Sequence, residues 1–148
     1  MNANPKIYIC HEPDEGGLAG HLAAWPRANN DSTLYDARQG TPIASNAAVE
    51  IKEQLTAMIG EASVFVCLVS QGACFDDWVT WEIATARSLK RPPGMVGILL
   101  HEADVPPPGM VDAGAIFVPF SRDKVERAID WAAKKRGTAK GDFKFIDE

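Results

Sequence analysis

The residues best equipped for chemistry lie in Asp76-Asp77-Trp78-Val79-Thr80-Trp81-Glu82-Ile83, a stretch that reads as the first turns of a helix. Side chains four apart on a helix lie one above the other, so Trp78 and Glu82 share a face, and Val79, Ile83 and Ala86 make an adjoining apolar stripe fit to pack on a sheet. An indole and a carboxylate side by side at the border of such a stripe form one wall of a pocket for a flat, cationic ring carried on a sugar. The plainer alternative is a solvated helix glutamate, the usual fate of that residue type. Trp81, on the same helix, is expected to point away from Glu82 as a surface or interface residue.

A carboxylate reacts only where the fold brings other groups to it. Short apolar runs alternate with longer amphipathic ones along this chain, the pattern of a parallel sheet with crossover helices. Strands are predicted at residues 6–10, 33–35, 63–69, 95–100 and 115–118, and helices at about 18–27, 47–59, 75–89 and 121–136. The run Val64-Phe65-Val66-Cys67-Leu68-Val69 lacks alternation, as expected of a central parallel strand covered on both faces. The second helix offers Val49, Leu55, Ile59 and either Ile51 or Met58 for burial, with Gly60 as its stop. The last offers Val125, Ile129 and Ala132 or Ala133. Residues 36–46, with Gly40 and Pro42, make a long strand-to-helix connection, where roughly two to six residues are usual, and long loops at such positions are often binding loops. The expected architecture is a three-layer α/β, flavodoxin-like domain over residues 1–136 with a five-stranded parallel sheet. A tail follows over residues 137–148, where Phe143, Phe145 and Ile146 suit either an edge strand or a disordered end.

In an open parallel sheet, ligands gather outside the carboxyl ends of the strands. That rule selects Cys10 and His11 after the first strand, Asp36 and Arg38 after the second, Ser70 and Gln71 after the third, and His101 and Glu102 after the fourth, with Glu82 at the same edge. Each has a structural alternative. Asp36 either bonds a sugar or anchors its loop, and Ser70 either holds a phosphate or caps a turn. Arg38 either meets a pyrophosphate or is a solvated charge, a strand-end His11 is most simply hydrogen-bonded, and His101 and Glu102 read as loop residues. Several other chemistries lack their motifs. No GxGxxG follows the first strand, no GxxxxGK[ST] loop is present, no GxSxG surrounds Ser70, and the central strand ends in Ser70-Gln71 rather than in a phosphate-accepting Asp.

The bulk composition narrows the setting. With 148 residues, 46% hydrophobic and 24% charged, the chain suits one globular domain, and it has no apolar run of bilayer length. The N-terminus lacks a charged segment followed by an apolar one, so no export signal is expected. Cys10, Cys67 and Cys74 are odd in number and without a CxxC pair, which suits reduced thiols in a cytoplasm and argues against a metal site. The net charge of -5 disfavours nucleic acid as a partner. The one basic cluster, Lys134-Lys135-Arg136 with Lys140, more simply complements a helix C-terminus.

The segment Asp77-Trp78-Val79-Thr80-Trp81-Glu82-Ile83-Ala84-Thr85-Ala86 resembles the WxxxE-type helix of Toll/interleukin-1 receptor (TIR) domains that cleave NAD. Lys6-Ile7-Tyr8-Ile9-Cys10-His11, Leu34-Tyr35-Asp36, Ile51-Lys52 with Ile59, and the Val64 to Ser70 block are similar to the TIR-like proteins of bacterial Thoeris anti-phage systems, the ThsB type. One departure is visible, since the first strand ends Cys10-His11-Glu12-Pro13 where that family commonly has Ser followed by aromatic and His residues. The resemblance implies Glu82 as the catalytic residue; Trp78, by its place one turn away, and Cys10, His11, Asp36, Arg38 and Ser70, by their places at the sheet edge, are expected around the substrate. The resemblance further implies NAD as substrate rather than cofactor and a linear or cyclic ADP-ribose signal; with a cationic leaving group no metal is expected, a separate effector protein is expected to sense the product, and a homo-oligomer is a further possibility. A nucleoside deoxyribosyltransferase-like enzyme, with the glutamate as nucleophile, and a TIR-type interaction module without turnover are the competing readings.

Overall fold

A computed structural model of the chain describes residues 6–10, 41–69, 77–100, 107–137, 141 and 144–145. These form strand β1 (Ile7–Cys10), helix α1 (Ala48–Glu61), strand β2 (Val64–Val69), helix α2 (Asp77–Ser88), strand β3 (Gly94–Leu99), a 3-10 turn (Pro108–Met110), strand β4 (Ile116–Pro119), helix α3 (Arg122–Ala133) and strand β5 (Lys144–Phe145). The sheet runs β1-β2-β3-β4-β5 with every pair parallel. Four of its strands are those the apolar runs predict, displaced by about a residue at their ends. The strand predicted at 33–35 and the helix predicted at 18–27 lie outside the described residues. The fifth described strand comes from the tail, where Lys144 and Phe145 register against Ile116 and Phe117.

The two faces of the sheet bury two distinct cores. Along β2, Phe65, Cys67 and Val69 join Tyr8, Cys10, Met95 and Phe117 under α1 and α2. The intervening Val64, Val66 and Leu68 join Ile7, Ile9, Val96, Ile98 and Val118 under α3. This division follows from the two-residue period of a strand, and it explains why β2 is apolar throughout. Tyr8 and Phe65 stack across β1 and β2 with centroids 5.7 Å apart.

Two glycines let the layers approach. A Cβ on Gly94 would stand 1.9 Å from the Ala132 carbonyl oxygen, so α3 lies directly on the backbone of β3 there. A Cβ on Gly97 would enter the Phe117 ring at 2.3 Å on the opposite face.

Two expectations about α1 need correction. Val49 is 55% exposed, because the buried stripe is Ala48, Ile51, Leu55 and Ile59, and a residue one step along a helix turns about 100° away from such a stripe. Gly60 does not stop the helix, which continues through Glu61 and ends where Ala62 turns extended and its N–H bonds the Ile59 carbonyl at 3.1 Å. The Gly60 carbonyl instead accepts a hydrogen bond from Arg136 Nη2 at 3.0 Å. Part of the basic cluster beyond α3 thus serves the negative end of α1. Among the described residues no helix is long and apolar enough to cross a membrane.

Candidate active site on the second helix

Helix α2 carries the candidate site because its sequence gives it a continuous apolar flank: Trp78, Val79, Ile83 and Ala86 are all buried against the sheet and α1. Asp77 in the first turn and Arg87 in the last complement the helix dipole. Glu82 sits within the buried flank, not at its solvated border. It is 1% exposed, both carboxylate oxygens are buried, and it is the one charged side chain buried among the described residues. Removing a carboxylate from water costs several kcal/mol unless the surroundings compensate it, so a solvated surface glutamate is excluded. A carboxylate so buried is able to interact with a positive charge at short range with little intervening water.

Both ends of α2 are braced. At its start the Trp78 indole Nε1 donates to the Thr41 carbonyl at 3.0 Å, and the ring is 8% exposed. Near its end Arg87 Nη1 donates to the Gly109 carbonyl at 3.0 Å and to Asp112 Oδ1 at 2.9 Å, fixing the helix to the 3-10 turn. Gly109 is required at that contact, since a Cβ there would lie 2.8 Å from Ile83 Cγ2. Glu82 lies between the two braces, on a rigid element, which is the placement that a reacting group needs.

Of the two places expected for Trp81, surface or interface, it takes a seam between helices. It is half-buried and packed against the core under α1 and α2, edge-on to Trp78 with centroids 5.8 Å apart and planes at 81°. Lys52 of α1 places its ammonium 5.8 Å from the Trp81 centroid. Part of its ring is covered because α1 lies beside α2 and offers it both apolar surface and a cation.

Cys10 ends β1, fully buried, with Cys67 as its register partner on β2; both belong to the core under α1 and α2, and neither forms a disulfide. Trp78 belongs to that same core. His11, Asp36, Arg38 and Ser70, with Gln71, His101 and Glu102, lie outside the described residues. Among the described residues no three His, Cys, Asp or Glu side chains gather as metal ligands. Sequence reasoning missed Thr41, which takes part through its backbone carbonyl and so leaves no signal in its residue type. It also missed Lys52, whose partner stands on a different helix.

A parallel sheet with helices packed on both faces is a layered α/β fold, the fold class of TIR-like domains. The chain belongs to the TIR-like domain family of the Thoeris protein ThsB, whose family model matches residues 8–104, about two-thirds of the sequence. The match spans nearly all of β1 and the whole of α1, β2, α2 and β3, and therefore Trp78, Trp81 and Glu82. Among curated proteins nothing matches the chain.

Proposed function

We propose that this domain cleaves the bond between nicotinamide and ribose in NAD and forms a linear or cyclic ADP-ribose signal in anti-phage defence. The observation that carries the reading is the full burial of Glu82 on the motif-bearing helix of a ThsB-type TIR-like domain. As the glycosidic bond breaks, its electron pair leaves with nicotinamide, which departs neutral, and positive charge grows on the ribose carbon and ring oxygen. A carboxylate about 4 Å away, at an effective dielectric near 20, lowers the energy of that charge by about 4 kcal/mol. This corresponds to roughly three decades of rate. Because nicotinamide in NAD is already cationic, its departure needs no general acid, unlike that of an ordinary glycoside leaving group. The same carboxylate accepts hydrogen bonds from ribose hydroxyls and fixes the sugar.

Water adding to the ribose carbon gives ADP-ribose and a proton; a nucleophilic atom of the same ADP-ribose closes a ring instead. In this reading NAD is a substrate, no metal takes part, and a separate effector protein senses the product. Self-association of the domain is a compatible route to activation. The test is incubation of the purified protein with NAD, together with any partner or trigger that activates it, and separation of the products by chromatography and mass. Release of nicotinamide with ADP-ribose or its cyclic isomer supports the reading. Base exchange between nucleosides without NAD consumption replaces it with a deoxyribosyltransferase, and binding of NAD without turnover replaces it with an interaction module.

A further inference from the structure

We propose that Trp78 is a positioning residue whose indole N–H latches segment 41–46 onto the helix that carries Glu82. The segment immediately precedes α1 and has its own internal bonds: Ser45 N–H and Oγ both donate to the Pro42 carbonyl, at 3.0 and 2.7 Å, and Ala48 N–H donates to the Ser45 carbonyl at 3.1 Å. Ile43 packs on the core that also contains Trp78 and Val79. The bond from Trp78 Nε1 to the Thr41 carbonyl ties this turn to α2 at 3.0 Å. An indole has a single donor, so a Trp78 bonded in this way presents only its apolar ring to a substrate. The ring also meets Trp81 in a T-shaped contact, and Lys52 of α1 stands over Trp81. Trp78 and Glu82 lie four apart on α2, which sets the latch one turn from the carboxylate.

The effect on turnover rests on the NAD-cleaving reading; the latch itself does not. Where a ligand binds only the latched form, its apparent affinity scales with the latched fraction. Losing one neutral hydrogen bond shifts such an equilibrium by about two- to tenfold. Because the latched form is the one the structure shows, Trp78→Phe, which keeps an aromatic ring and removes the donor, is expected to raise KM for NAD by only up to about twofold with kcat unchanged, and to show its main effect in exchange. Amide hydrogen exchange over residues 43–46 should quicken by about two- to tenfold, the shift in the latch equilibrium, while that of residues 79–88 stays unchanged. Should Phe disturb packing, replacement of the indole by benzothiophene, with sulfur in place of the N–H, preserves the shape and makes the same predictions. Unchanged exchange over 43–46 in both variants overturns the latch, whether or not the protein consumes NAD. A fall in kcat at constant KM also overturns it, by making Trp78 a transition-state contact. A wild type that leaves NAD intact refutes the functional reading alone, and the exchange data then decide the latch.

Discussion

Glu82→Gln exchanges a carboxylate for an amide of nearly the same shape at a position 1% exposed, so it separates charge from packing. If the charge faces the ribose in the transition state, its loss removes about 4 kcal/mol, for a separation of about 4 Å at an effective dielectric near 20. The expected fall in turnover is therefore roughly a thousandfold. Stability should respond differently. The amide needs no charge compensation in the buried flank of α2, so the fold keeps or slightly gains stability, as is common when a functional group is removed. At this chain length, each kcal/mol gained or lost moves Tm by about 2–4 °C. The assay is nicotinamide release from NAD under activating conditions, run beside a thermal unfolding curve of the same preparations. Glu82→Asp, which keeps the charge but withdraws it by about one carbon–carbon bond length, should fall between the two. Turnover by Glu82→Gln within tenfold of wild type would refute the electrostatic argument. A loss of turnover accompanied by a Tm lowered by more than about 10 °C would make Glu82 a structural acid instead.

Other substitutions test the scaffold that holds this helix. Gly97→Ala should cost about 1–3 kcal/mol by driving a methyl into the Phe117 ring, and Phe117→Leu in the same chain should recover part of that loss in denaturant titrations. Gly94→Ala should cost at least as much, with no recovery on trimming Ala132 to Gly, because the obstacle is the Ala132 backbone carbonyl. Arg136→Met should lower stability by about 1 kcal/mol through loss of the bond to the Gly60 carbonyl, with a smaller difference from wild type at high salt. Asp112→Asn should change stability by less than about 1 kcal/mol, since Asp112 is 74% exposed. Arg87→Met should cost more, because it also frees the Gly109 carbonyl; equal effects of the two variants would show that the 3-10 turn does not brace α2.

The layered fold was legible because burial on both faces leaves its mark in residue type. The unbroken apolar run of β2 and the threefold and fourfold spacing of Val79, Ile83 and Ala86 on α2 each state a period, and the structure follows them. Legibility failed where partners lie far apart in the chain. Trp81 was open between surface and interface, and only the position of α1 beside α2 decides that it is partly covered there. Val49 was misassigned because it lies one residue from a stripe whose phase Ala48 sets, and alanine is too small to weigh heavily in a pattern of large apolar groups. The contribution of Lys144–Phe145 to the sheet rests on pairing with β4, since two residues carry no period of their own.

For the candidate site, the sequence by itself determined which residue to examine: a glutamate four residues after a tryptophan, with an apolar stripe alongside, points to Glu82 through local helix geometry alone. Only the tertiary structure decided that Glu82 is buried, not solvated, and that Trp78 gives its donor to Thr41. The physical reason is that periodicity reports which face of an element turns inward. The water removed from a carboxylate and the backbone carbonyl met by an indole are set by neighbouring elements that arrive from elsewhere in the chain.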